Sequence, residues 1–224
     1  MILYANSDSY GVCSTGKTYV DFIGSALNAT QAINSGVRGS CNRRIVRTTI
    51  RDLLSLKKQN TDITAIIGLG DINRSEYWGD IATNNDGHFT SFQPGSVVPE
   101  SAKRLQRAHI ETHNDEAANT NLFVDIILLT AFFKNNDIKY LIWQGSQSLK
   151  SSDFTTPFIS SFYKQVQSDP NVLDIFDFSF SKYCSIIKGY IPYDSDQFGI
   201  YGHHAEPAHL DFAEYLLENK LNEI

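Results

Sequence analysis

Three short apolar runs, ILYA at 2–5, DITAIIGL at 62–69 and IKYLIW at 138–143, set the tightest limit on how this chain can fold. Each is about one strand long and carries too little polar alternation for a strand with one wet face. Each therefore predicts a strand buried on both sides. The stretches between them have helical periodicity. Residues 17–29 set Val20, Ile23 and Leu27 on one side, and residues 43–59 repeat Ile45, Val46, Ile50, Leu53 and Leu54 at helical spacing, with Asn42 as the expected cap. A brief strand is expected around 32–34. Helical material over about 100–135 should break near His113-Asn114, and Leu122–Phe133 is apolar nearly all round, as in a helix packed on a sheet. A helix near 157–167, a strand near 172–176, a long loop over 178–204 and a helix over about 205–221 complete the pattern. Strands alternating with helices predict an α/β fold with a parallel sheet covered on both faces. Residues 71–98, rich in Asn, Gly and Ser, read as an insertion or flap over a site. With no internal repeat and no linker, a single domain over 1–224 is expected.

Composition narrows the function classes. A formal charge of -6 argues against broad nucleic-acid or anionic-membrane binding. The three cysteines, Cys13, Cys41 and Cys184, are odd in number and widely spaced, which favours free thiols in a reducing compartment. The start MILYANSDSYG lacks a basic segment and a long apolar run, and no segment approaches ~18 consecutive apolar residues. A soluble, cytoplasmic chain is the expectation.

The stretch SDSYGVCSTGKT at 7–18 offers two functions. Gly11 to Thr18 fits the phosphate-loop pattern G-x-x-x-x-G-K-[ST], and Asp71 after AIIGLG could stand as its acidic partner. Such a loop wraps phosphate directly between a buried strand and a helix, so its first Gly should follow the strand at once. Here Asn6-Ser7-Asp8-Ser9-Tyr10 intervenes, and the nucleotide reading weighs less. The other reading takes Ser7-Asp8-Ser9 as a nucleophile turn at the end of a strand.

That turn resembles the first block of the SGNH (GDSL-type) hydrolases, with Ser7 in place of the family's Gly and with Asp8 and the nucleophile position Ser9 matching. The stretch 34–45 resembles the second block, where Gly39 is the best match to the glycine whose N–H helps form the oxyanion hole. GHHAEPAH at 202–209 resembles the fifth block, with His203 at the position of the catalytic imidazole. The resemblance runs from residue 2 to about 217, in family order. It implies a three-layer α/β/α, flavodoxin-like fold and a serine ester hydrolase. Two blocks depart from the pattern. Gly70 stands where the third block has an Asn that donates to the oxyanion, leaving a backbone amide, Asn73 or Asn42 as substitutes. Ile200 and Tyr201 stand where the fifth block has its Asp, leaving Asp194, Asp196 or a backbone carbonyl to orient the imidazole.

The chemistry is coherent. A serine hydroxyl needs a base within ~3 Å, and each oxyanion donor contributes ~3 kcal/mol to the transition state. In an open α/β sheet, sites gather beyond the carboxyl ends of the strands, where Ser9 and the 36–42 and 70–78 loops should lie. The expected substrate is a small acyl ester, such as an acetyl group on a carbohydrate, with no cofactor and no metal. Acyl transfer between sugars is chemically adjacent. A non-catalytic binding or structural module on the same frame is the alternative from another class. Arg44, Arg47 and Arg51 share a helix face that reads first as solvated and second as an anion site. Arg74, Glu76, Tyr77 and Trp78 could line a pocket for sugars. His109, Glu111 and His113, and the trio His203, His204 and His209, lack the H-E-x-x-H spacing of a metal helix.

Overall fold

The computed structural model describes residues 1–13, 16–59, 62–78, 89–92, 98, 100–145, 156–175, 178–192 and 203–223. Four parallel strands form the central sheet: β1 (Ile2–Asn6), β2 (Gln31–Asn34), β3 (Ile63–Leu69) and β6 (Lys139–Gln144), in the order β2-β1-β3-β6. The register pairs Ile2 with Gln31 on one side and with Ile63 on the other, and Thr64 with Lys139. Successive side chains of a strand point to opposite faces, and the three apolar runs use both. Ile2, Tyr4, Ile67, Tyr140 and Ile142 enter one core with helices α2 (Asn42–Lys57), α4 (Asp115–Asn135) and α5 (Pro157–Gln167). Leu3, Ala5, Ile66, Leu141 and Trp143 enter the other with α1 (Tyr19–Ala26) and α7 (Glu206–Asn219). The result is a three-layer α/β/α fold.

Local sequence explains most boundaries. Asp21 accepts from both the N–H and the hydroxyl of Thr18 at the start of α1. Asn114 caps α4 by accepting from the Ala117 N–H at 2.9 Å, which is why helix α3 (Glu100–Thr112) stops just before it. α4 is long and apolar enough to cross a bilayer by length and composition. Here Leu122, Phe123, Ile126, Leu129 and Phe133 are buried as in a core helix, and Leu128 on its outer face is 56% exposed.

Three expectations need correction, and one segment gains detail. The residue capping α2 is Cys41, whose Sγ accepts from the Arg44 N–H, because the Asn42 side chain is engaged elsewhere. Among the described residues, the strand expected near 172–176 is reduced to a single bridge, Ile142 with Val172. The region 178–204 holds a short helix, α6 (Phe180–Lys182), running into a π-turn over Tyr183–Ile187. The insertion carries an antiparallel pair, β4 (Ser75–Trp78) and β5 (Phe89–Phe92).

Phe212 of α7 is fully buried and meets Tyr19, Trp143, Phe178, Phe180 and Tyr183 ring to ring. Phe212→Ala should cost about 3–5 kcal/mol in urea unfolding, whereas Leu128→Ala should cost less than about 1 kcal/mol.

Candidate functional site

Past its last strand residue, β1 continues into Ser7-Asp8-Ser9, and all three are buried. Asp8 accepts from the Tyr10 N–H at 3.1 Å and so starts a single 3-10 turn, Ser9–Gly11. The loop after β2 is tied to the same place, since the Val37 N–H donates to the Ser7 carbonyl at 3.1 Å. Asn6 holds α2 against this point through the Ile45 carbonyl and the hydroxyls of Thr48 and Thr49. The carboxyl ends of β1 and β3 and the loops that follow them therefore share one rim of the sheet.

The two serines of the turn have different surroundings. Ser7, which takes the place of a glycine, points into the core among three glycines. A Cβ built on Gly11 would lie 1.8 Å from Ser7 Oγ, one on Gly36 2.9 Å from it, and one on Gly68 2.9 Å from Ser7 Cβ. Its hydroxyl donates to the Asp8 carbonyl at 3.1 Å. Ser9 is 4% exposed, and its hydroxyl makes no hydrogen bond among the described residues. His203 comes to this turn from the far end of the chain, with its ring 5.8 Å from the Tyr10 ring.

Asp8 is the electrostatic centre. It is fully buried, and Arg74 Nη1 donates to its Oδ2 at 2.9 Å and to the Ser40 carbonyl at 3.4 Å. Gly70 and Gly145 approach so closely that a Cβ on either would stand 3.0 Å from the Ser40 carbonyl or 2.9 Å from that of Leu69. Burial pushes the Asp8 carboxyl up to about 6; Arg74, the Tyr10 N–H and His203 pull the other way.

The proposed oxyanion donors divide into two groups. The N–H groups of Ser9 and Gly39 donate no hydrogen bond among the described residues, and Gly39 sits at φ 76 with open space where a Cβ would be. Gly70 and Asn42 instead bond each other. The Gly70 N–H donates to Asn42 Oδ1 at 2.7 Å, and Asn42 Nδ2 returns to the Gly70 carbonyl at 3.2 Å. Asn73 donates to Asp71 from both its N–H and its side chain. Asp194 and Asp196 lie outside the described residues, as does the Trp78 side chain.

Beyond Arg74 lies a cavity of about 410 Å³, lined among others by Arg43, Arg74, Glu76, His109, Asn121 and Asp125. Its charges are matched: Arg43 meets Asp125 at 3.3 Å, and Arg47 meets Glu76 at 2.8 Å. With Arg51 on Asp52 and Arg44 donating to the Ser40 hydroxyl, the basic face of α2 is largely occupied by its own chain. The histidines are similarly engaged. His109 meets the Asn73 carbonyl, His113 meets Asp115, and His204 meets Ser185 at 3.3 Å. Buried His209 stacks on Tyr19, and burial pushes its pKa down to about 4. In the Gly-Lys-Thr stretch, Thr18 serves Asp21, and the Lys17 N–H donates to Glu206 at 3.0 Å. Sequence reasoning missed the Asp8–Arg74 pair, the Asn42–Gly70 pair and Glu206. Each joins residues far apart in the chain, and only the acidic first turn of α7 hinted at the last.

Solved structures share this architecture at low identity. A lipolytic protein of the G-D-S-L family from Desulfitobacterium hafniense DCB-2 superposes with a TM-score of 0.50 at 12% identity, over 97% of this chain and 98% of that one. A member of the same family from Veillonella parvula DSM 2008 gives 0.51 at 10% identity, over 98% and 97%. The acetyl xylan esterase AlAXEase gives 0.52 at 12% identity, over 99% and 100%. The chain thus has the fold of the GDSL-type (SGNH) hydrolases. No curated protein matches it in sequence. A family model described as a family of unknown function (DUF6071) matches residues 13–171.

Two outcomes test the site. Gly11→Ala should destabilise by about 1–3 kcal/mol through its clash with Ser7, and Ser7→Gly added to it should restore most of that loss in urea unfolding. Asp8, whose carboxyl is raised in the folded state, contributes stability that is complete below its unfolded value of 3.8 and lost as pH rises through about 6. The stability of the wild type relative to Asp8→Asn should therefore fall between about pH 4 and 6, on the order of 3 kcal/mol in all.

Proposed function

Since the chain belongs to DUF6071, a family of unknown function, we propose from the chemistry of its own site that it is a serine ester hydrolase. Ser9 Oγ attacks the ester carbonyl carbon while His203 takes the hydroxyl proton. The negative charge that forms on the carbonyl oxygen is met by the N–H groups of Ser9 and Gly39. His203 then returns the proton to the departing alkoxide, leaving an acyl-serine. Water, deprotonated by the same imidazole, attacks that acyl group and releases the carboxylic acid and free Ser9. The main support is the meeting of the His203 ring with Tyr10, next to Ser9, although the two segments lie at opposite ends of the sequence. The two unengaged N–H groups add to it.

A small acyl group on a carbohydrate suits the reading. The neighbouring cavity offers matched donors and acceptors rather than one sign of charge, as hydroxyl-rich ligands require. An acetyl xylan esterase is among the proteins that share the fold. One observation favours a non-catalytic module on the same frame: the Gly70 N–H is donated to Asn42 Oδ1, and Asn42 and Asn73 each direct a side-chain N–H into the chain itself, so the place of a third oxyanion donor is already engaged.

The two readings separate on p-nitrophenyl acetate and on acetylated xylo-oligosaccharides. Turnover that falls about 10³-fold or more in Ser9→Ala and in His203→Gln, with unfolding unchanged, is the expected result. A wild type that neither turns over these esters nor reacts with a fluorophosphonate would leave the module reading.

A further inference from the structure

In a phosphate-binding loop the amides around the Gly-Lys pair face a bound anion. Here they face one supplied by the chain itself. Glu206 Oε2 accepts from the Lys17 N–H at 3.0 Å. A Cβ on Gly16 would fall 1.8 Å from that oxygen and 2.9 Å from the Glu206 carboxyl carbon, so the hollow at Gly16 is the seat of the carboxylate. Glu206 lies in the first turn of α7, where the positive end of the helix dipole favours a carboxylate. It stands just after His203, as Lys17 stands shortly after the Ser9 turn. The bond thus joins the two segments on which the hydrolase reading depends. The neighbouring anchor acts elsewhere: His204 is held by Ser185 and by the edge of Phe180, both on the α6 side.

We propose that Glu206 is a positioning residue, whose carboxylate on the Gly16-Lys17 backbone holds the His203 imidazole in register with the Ser9 turn. The kinetic consequence rests on the hydrolase reading; the contact itself does not. α7 would keep its place without it, because Ala208, Phe212, Ala213 and Leu216 are buried in a core with Tyr19, Val20 and Ile23. What loosens is the segment ahead of the helix. A single solvent-exposed hydrogen bond contributes little to global stability, whereas a misplaced base lowers the rate of proton transfer steeply. Activity and stability should therefore separate.

The test compares Glu206→Ala, Glu206→Gln, Gly16→Ala and the Gly16→Ala/Glu206→Ala double variant by p-nitrophenyl acetate kinetics, thermal unfolding and the Hε1 proton resonance of His203. Glu206→Ala should lower kcat about tenfold, with KM within about twofold and little change in unfolding. Glu206→Gln keeps an acceptor oxygen and should retain at least about half of kcat. Gly16→Ala should match Glu206→Ala, with the double variant no worse than either, since both remove one contact. The His203 resonance, set by the Tyr10 ring beside it, should move in Glu206→Ala and stay in Glu206→Gln. Wild-type kcat with an unmoved resonance in Glu206→Ala overturns the proposal, and so does a Glu206→Gln as impaired as Glu206→Ala. If the wild type turns over no ester, the hydrolase reading falls and the resonance decides alone: moved in Glu206→Ala only, it supports the positioning role; unmoved, it overturns it.

Discussion

A carboxylate sealed beneath the end of the first strand governs this structure. Asp8 has no exposure to water, and its charge is met by Arg74 from the loop after β3 and by the Tyr10 N–H of its own turn. An ionised carboxylate in such a place is stable only when it is paired and hydrogen-bonded. That requirement fixes the neighbours. The β3 loop must turn back to deliver Arg74, and Gly70 and Gly145, the residues just past the ends of β3 and β6, must lack side chains to pass the carboxylate. Ser40 must present its carbonyl to the same guanidinium. The arrangement of the rim follows from neutralising one charge.

The same economy runs through the rest of the site. Side chains that could face a ligand are largely turned toward one another: Asn42 to the Gly70 backbone, Asn73 to Asp71, Arg47 to Glu76, Arg43 to Asp125. Fixed pairs of this kind cost nothing to reorganise when a ligand arrives, which suits a site built for positioning. They also leave few donors for anything else. The Ser9 and Gly39 amides are therefore notable as groups at the rim that donate no hydrogen bond among the described residues.

The frame was largely legible in the sequence, because burial on both faces leaves an unbroken apolar run and because His113-Asn114-Asp115 is a strong helix stop and start. β1, β3, β6 and the α3–α4 break all follow from such signals. The β4–β5 pair escaped because Ser75–Trp78 mixes a serine, a glutamate and two aromatics within a segment dominated by turn formers. The 172–176 strand was overread. Val172 and Leu173 alternate between the two cores as strand residues do, but beyond the bridge to Ile142 the ladder does not extend among the described residues. In the site, the approach of His203 to the turn that carries Ser9 was legible from the order of the motifs along the chain. The partners of Asp8, Asn42 and Gly16 were not, since contacts between residues distant in sequence leave no local pattern. The phosphate-loop letters were ambiguous for a related reason: a glycine needed for close approach to an anion looks the same whether that anion is a nucleotide or the chain's own glutamate.

The two ends of the sequence share one wall of the core. Leu3 and Ala5 of β1 and Tyr19 and Ile23 of α1 are covered by Phe212, Ala213 and Leu216 of α7. During synthesis, the first strand and helix leave the ribosome long before their cover exists, and every intermediate length carries an open apolar surface on that side. The opposite layer, closed by α2 and α4, can form while the chain is still growing. Vectorial folding of this protein should thus proceed one face at a time, with the unfinished face as the surface a chaperone would hold.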